Sequence, residues 1–177
     1  MKFVPLILYM FFLPVVSNAQ IDNTPKKKTL AIRKDFYEKM PRQARIFCDF
    51  TKSLNPSQLE IMDSLWVRFY RSSNKGIVTA ILDSGRIPEN DFYSFADAMF
   101  QSWNMNDDKN AIYIIASPAL KHVRIFTGES IKLYLSDEKV QSIISSIIIP
   151  RFKDGTFFEA IKMGTEEIIN TIKLNGG

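Results

Sequence analysis

An α/β fold, a three-layer α/β/α sandwich around a small mixed β-sheet, is predicted by three features of the chain. Its segments run helix, strand, helix, strand, strand, helix, helix. The strands are unbroken apolar runs, which calls for helices on both sheet faces. The longer helices each carry one apolar stripe. The order of the strands within the sheet is left open by this pattern.

The elements follow from local chemistry. The packed domain begins near Arg45-Ile-Phe-Cys-Asp49-Phe. In Leu54-Asn-Pro-Ser-Gln58, Asn55 can cap, Pro56 suits a first helical turn and Gln58 can reach back as in a capping box. Leu59, Met62, Leu65, Trp66, Phe69 and Tyr70 then recur at helical spacing, and Gly76 is the expected stop. Ile77 to Leu82, rich in β-branched residues, is a buried strand. A second helix spans Asn90 to Trp103, with Phe92, Phe95, Ala96, Met99 and Phe100 on one face. Ile112 to Ala116 and Val123 to Phe126 form a hairpin across Ser117-Pro-Ala-Leu120. Asp137 starts a third helix, with Val140, Ile143, Ile144 and Ile147 apolar, which Pro150 is expected to end. Gly155 separates it from a last helix carrying Phe158, Ile161, Ile168 and Ile172.

The ends of the chain speak to its location. Lys2, an apolar run from Phe3 to Val16 and then Ser17-Asn-Ala19 make residues 1–19 a secretory signal peptide. The run is short of the ~20 residues of a membrane span, and Pro5 and Pro14 interrupt it. The expected location is therefore outside the cytoplasm, periplasmic or secreted. Residues 20–44 are a polar, basic leader, and residues 45–177 form the domain. From Gln20 to Arg45 there are eight Lys or Arg against three Asp or Glu. From Ile46 onward there are 14 basic and 16 acidic residues, so the high pI belongs to the arm. Such an arm is a solvated leader or a contact to an anionic membrane surface or acidic partner. The domain has no basic face, which disfavours nucleic acid. Cys48 is the only cysteine, so stability rests on packing, and the thiol reads as buried and inert. One histidine, His122, and one cysteine make neither a zinc spacing nor a recognisable nucleophile–base group.

Candidate chemistry concentrates between Trp103 and Asp137, where an acidic loop feeds the hairpin and Gly128 leads to a helix start. Asp49, Asp107, Asp108 and Asp137 are the candidate ligands, because a hard cation such as Ca2+ or Mg2+ wants several oxygens. Each has a structural alternative: Asp137 as a helix cap, Asp107 and Asp108 as a solvated loop, Asp49 as a cap or the partner of an arginine.

The chain resembles a TPM domain, a family of exported or lumenal proteins in bacteria and chloroplasts. The residues that carry the resemblance are Asp49-Phe50, Leu54, Gln58, Phe95-Ala96, Phe100, Trp103, Asn110-Ala-Ile-Tyr-Ile-Ile115, Val123-Arg-Ile125, Gly128, Leu135-Ser-Asp137 and Ile149-Pro-Arg-Phe152, over roughly residues 45–174. The resemblance implies the α/β/α fold, divalent-cation binding in some branches, notably of calcium, a phosphatase activity in plant lumenal members, and assembly or repair roles in others. This chain departs from the family after the hairpin. Where the family has Gly-Tyr-Gly-Leu-Glu, the segment here is Gly128-Glu-Ser-Ile-Lys132, so an anionic ligand position holds an ammonium that cannot ligate a metal. The loop after Trp103 also lacks glycines that would cradle phosphate. The expected function is an exported accessory module that binds a protein or envelope partner without catalysis. The alternatives are a divalent-metal-dependent phosphatase acting on phosphomonoesters and a calcium-binding module without catalysis.

Overall fold

The apolar run Gly76–Ile81 (β2) is flanked on both sides by parallel strands, Phe47–Asp49 (β1) and Ala111–Ser117 (β3). The hairpin adds His122–Thr127 (β4) antiparallel to β3, so the sheet order is β1-β2-β3-β4. This computed structural model describes residues 39–43, 46–103, 105 and 108–177, with only the backbone of Asn90. The segment read as a signal peptide, most of the segment read as a basic leader, Arg45 and Asp107 lie outside the described residues. Among the described residues no helix is long and apolar enough to cross a membrane.

Helix α1 (Pro56–Ser73) starts as its sequence dictates. Asn55 Oδ1 accepts from the Gln58 N–H at 2.9 Å, and Gln58 Oε1 accepts from the Asn55 N–H at 3.0 Å. Its end differs from expectation. Asn74 adopts the left-handed conformation (φ 54°) and its N–H donates to Tyr70 O, while Gly76 opens β2. Asparagine tolerates that conformation nearly as well as glycine, so the glycine is not needed there. Helix α2 (Phe92–Ser102) is capped by Asp91, which accepts from the Ser94 N–H.

The two crossovers place their helices on opposite faces. Helix α1 packs Met62, Trp66 and Phe69 against Ile77, Ile81, Ile112 and Ile114. Helix α2 packs Phe92, Phe95 and Met99 against Ala80, Leu82 and Ile115. Since β1, β2 and β3 are parallel and added in one direction, crossovers of the same hand would put both helices on one face. One of the two is therefore left-handed, against the ~98% preference for right-handed crossovers. Burying each such Phe, Ile or Met contributes about 1.5–3 kcal/mol, enough to outweigh a local preference.

The α1 face also holds helices α3 (Asp137–Ile143), α4 (Ile149–Lys153) and α5 (Phe157–Leu174). Pro150, expected to end the third helix, does not. A π-helical turn, Ile144–Ile148, precedes it, and the Ile149 N–H donates to Ile144 O five residues back. The wider turn gives room for a proline ring that would clash in an α-helix. The Arg151 guanidinium then donates to the Ile147 carbonyl at 2.8 Å. Among the described residues the α2 face is covered by helix α2 and by the segment at Met40 and Pro41. Met40 packs on the α2 cluster and Pro41 O accepts from Trp103 Nε1 at 2.9 Å. The packed unit thus reaches back into the segment read as leader, where the Trp103 indole donor finds its acceptor in the backbone.

Candidate functional site

Asp49 ends β1 and anchors the loop into α1. Its Oδ1 accepts from the N–H groups of Thr51 (3.0 Å) and Lys52 (3.1 Å) and from the Thr51 hydroxyl (2.5 Å), and Oδ2 accepts from the Leu54 N–H (3.0 Å). Two carboxylate oxygens serving four donors make a turn anchor, and Lys52 is held there at φ 55°. Asp108 is exposed and its Oδ1 accepts from the Asn110 N–H at 2.9 Å. The cap of α3 is Ser136, in the extended conformation a cap needs, with its hydroxyl accepting from the Lys139 N–H. Asp137 is already helical, so the capping role weighed for it belongs to its neighbour. Glu138 shares that turn, and bonds from its own backbone N–H and from Ser136 hold its carboxyl below the usual range. The Asp137 carboxylate lies 3.7 Å from Lys132 Nζ, both side chains exposed.

These carboxylates do not meet. Asp49 is in register with Ile81 and, across β2, with Ala116, whereas Asp108 precedes Ala111 at the other end of β3. Five strand residues at ~3.3 Å separate the two ends by ~16 Å. Asp137 borders β4, and three strand spacings of ~4.8 Å put it ~14 Å across the sheet from β1. Calcium holds its oxygens at ~2.3–2.6 Å, so Asp49, Asp108 and Asp137 do not fit one shared ion. Among the described residues no three His, Cys, Asp or Glu side chains come together. Cys48 on β1 and His122 on β4 stand at opposite edges, and His122 packs against the rings of Phe92 and Tyr93. Near the acidic loop, burial first and the Asp108 charge second push the Tyr113 hydroxyl up to about 12.

Among the described residues the sheet ends at β1 on one side and at β4 on the other, and the two edges differ. Along β4, a hollow of about 370 Å³ lies between Tyr93 and α3, and the ion pairs beside it are internal: Arg124 with Asp97 at 3.3 Å and Lys132 with Asp137. Along β1, Ile46 O accepts from Thr79 N–H and Phe50 N–H donates to Ile81 O. That alternation turns the backbone N–H and C=O of Phe47 and Asp49 outward, away from β2. Two hollows flank this edge beside α1. One, of about 340 Å³, lies against Asp49, Lys52 and Leu59; the other, of about 450 Å³, lies between Ile46 and α1 residues Asp63, Trp66 and Val67. Ile46 and Val67 are exposed, at 51% and 40%. Trp66 is 2% exposed, its ring 4.8 Å from that of Phe47, and its Nε1 has no acceptor among the described residues. A buried indole N–H ordinarily finds a partner.

A model of the TPM domain matches residues 47–171. The chain belongs to the TPM domain family. Solved structures of similar fold include the N-terminal domain of a protein from P. gingivalis, with a TM-score of 0.65 and 21% identity over 73% of this chain and 82% of that one. The BA42 protein of the psychrophilic bacterium Bizionia argentinensis follows at a TM-score of 0.60 and 16% identity, covering 71% and 86%. The N-terminal domain of a Corynebacterium glutamicum protein has a TM-score of 0.56 and 14% identity, covering 73% and 82%. No curated protein matches the chain.

Within this TPM domain, Gly128 has a packing role. A Cβ there would lie 2.3 Å from the Lys109 carbonyl oxygen, so only glycine lets the turn after β4 rest on the acidic loop. Lys132, which the resemblance sets where a glutamate was expected, has its Nζ 3.7 Å from an Asp137 carboxylate oxygen, both side chains exposed. The β1 edge of this TPM domain escaped sequence reasoning, since a three-residue strand has no periodicity. Trp66 was legible only as a member of the α1 stripe.

Proposed function

We propose that this TPM domain is an exported accessory module that binds a protein or envelope partner and does not catalyse a reaction. The observation that carries the reading is the β1 edge, where outward backbone groups lie beside exposed Ile46 and Val67. Its support is chemical as well. The Asp49 carboxylate is engaged by its own loop, and Asp137 faces Lys132. The export signal read in residues 1–19 supplies the location, and the basic arm adds attraction for an anionic surface. The test pairs in-cell cross-linking, followed by recovery from envelope extract, with phosphomonoester hydrolysis measured with and without calcium or magnesium. A specific cross-linked partner and no metal-dependent hydrolysis are expected. Robust hydrolysis lost in Asp137→Ala, with no partner recovered, would overturn the proposal in favour of the phosphatase alternative.

A further inference from the structure

The sequence holds one Asn-Gly pair, Asn175–Gly176, directly after α5. In such a pair the glycine backbone nitrogen can attack the asparagine side-chain carbonyl carbon, and it is the least hindered nitrogen available, since glycine carries no Cβ. Asn74, Asn110 and Asn170 precede Lys75, Ala111 and Thr171, which do carry one. Asn55 precedes Pro56, whose nitrogen has no proton to lose.

The fold gives Asn175 a structural task. Its Nδ2 donates to Tyr134 O at 2.7 Å, a link across 41 residues that ties the end of α5 to the 3-10 turn Ile131–Leu133. The attacking group is restrained, because the Gly176 N–H donates to Lys173 O at 3.2 Å. Reaction therefore proceeds from the opened turn. Lys173, Leu174, Asn175 and Gly176 are all exposed, and helix ends of this kind open readily.

We propose that Asn175–Gly176 is a deamidation site whose reaction permanently unties the end of α5 from the turn at Tyr134. The Gly176 nitrogen loses its proton and bonds to Asn175 Cγ, the Cγ–Nδ2 bond breaks, and ammonia leaves. Water then opens the resulting succinimide ring to an aspartate or an isoaspartate. Neither product can remake the link, because an ionised carboxylate has no hydrogen to give to Tyr134 O. The new negative charge also stands at the carboxyl end of α5, where the helix dipole opposes it. Both effects favour the opened turn, so the change runs one way. The chemistry is independent of the partner-binding reading.

The full chain is aged at neutral and at mildly alkaline pH, then cleaved after Glu167, and the fragment Ile168–Gly177 is separated and weighed. The Asp154–Gly155 pair can form the same ring without a change of mass, so mass reports asparagine alone. Fragments carrying aspartate and isoaspartate should accumulate, faster at the higher pH and in urea below the unfolding transition. Gly176→Ala should slow them severalfold. Asn175→Asp, an exposed substitution that reproduces one product, should speed amide hydrogen exchange at Ile172, Lys173 and Leu174 about tenfold. Three results would each overturn the proposal: a fragment of unchanged mass while a free Leu-Asn-Gly-Gly peptide converts, conversion undiminished in Gly176→Ala, or exchange in Asn175→Asp equal to that of the parent.

Discussion

Replacing Gly128 with alanine tests how tightly the hairpin exit is seated on the acidic loop. The new Cβ would lie 2.3 Å from Lys109 O, 2.5 Å from its carbonyl carbon and 2.7 Å from Asp108 O, all backbone atoms. Relief requires the two segments to part by roughly an ångström, and both are anchored. Lys109 O accepts from Ser130 N–H at 3.0 Å, Asn110 O from Gly76 N–H at 3.0 Å, and Ala111 O from Gly128 N–H at 2.8 Å. Overpacking costs about 1–3 kcal/mol, and one or two weakened hydrogen bonds add about 1 kcal/mol each. The expected loss is therefore about 3 kcal/mol, or about 10 °C in Tm for a domain of this size. Urea unfolding and thermal melts measure it. Gly76→Ala is the control, because its Cβ meets only the Ala111 Cβ at 3.8 Å, and its effect should stay within about 0.5 kcal/mol. If Gly128→Ala is as mild as the control, the close approach does not constrain the fold and the reasoning fails.

Asp49→Ala should cost about 2 kcal/mol by leaving the loop N–H groups without their charged acceptor, and the loss should be the same with and without added calcium. A calcium-dependent difference in melting temperature would contradict the turn-anchor role. Gly164→Ala should cost about 1–3 kcal/mol, since its Cβ would lie 2.7 and 2.8 Å from Ile148 Cγ1 and Cδ1. Adding Ile148→Val should recover part of that loss, and strictly additive effects in a double-mutant cycle would count against the contact. Tyr113 keeps its proton to about pH 12 in the fold but only to about 10 when unfolded. Its contribution is therefore complete below pH 10 and is lost as pH rises towards 12. Tyr113→Phe should flatten the fall in stability over that interval, as measured by denaturant midpoints.

What the chain disclosed and what it withheld divide along the range of the interactions. The capping box of Asn55 and Gln58, the stripe from Met62 to Phe69 and the apolar run of β3 rest on neighbours in sequence, and all three recur in the structure. Strand β1 exists through its pairing with β2, so nothing local could announce it. The opposite hands of the two crossovers also follow from tertiary packing. At the candidate site, Asp49 was legible as a capping residue, but its separation from Asp108 depends on strand register. That Trp66 Nε1 finds no acceptor among the described residues depends on what surrounds it, and an apolar stripe says nothing of an indole N–H.

The π turn before Pro150 has a consequence for how this helix can change length. Its buried residues are Val140, Ile143, Ile148 and Phe152, so one interval is five residues long where an α-helix would use three or four. Removing either Ser145 or Ser146 would restore ordinary spacing and keep every buried position facing α5. It would also carry the proline into an uninterrupted α-helix, against the carbonyl four residues back. The extra residue and the proline are thus a matched pair. A chain that loses one should tolerate the loss only if it loses the other.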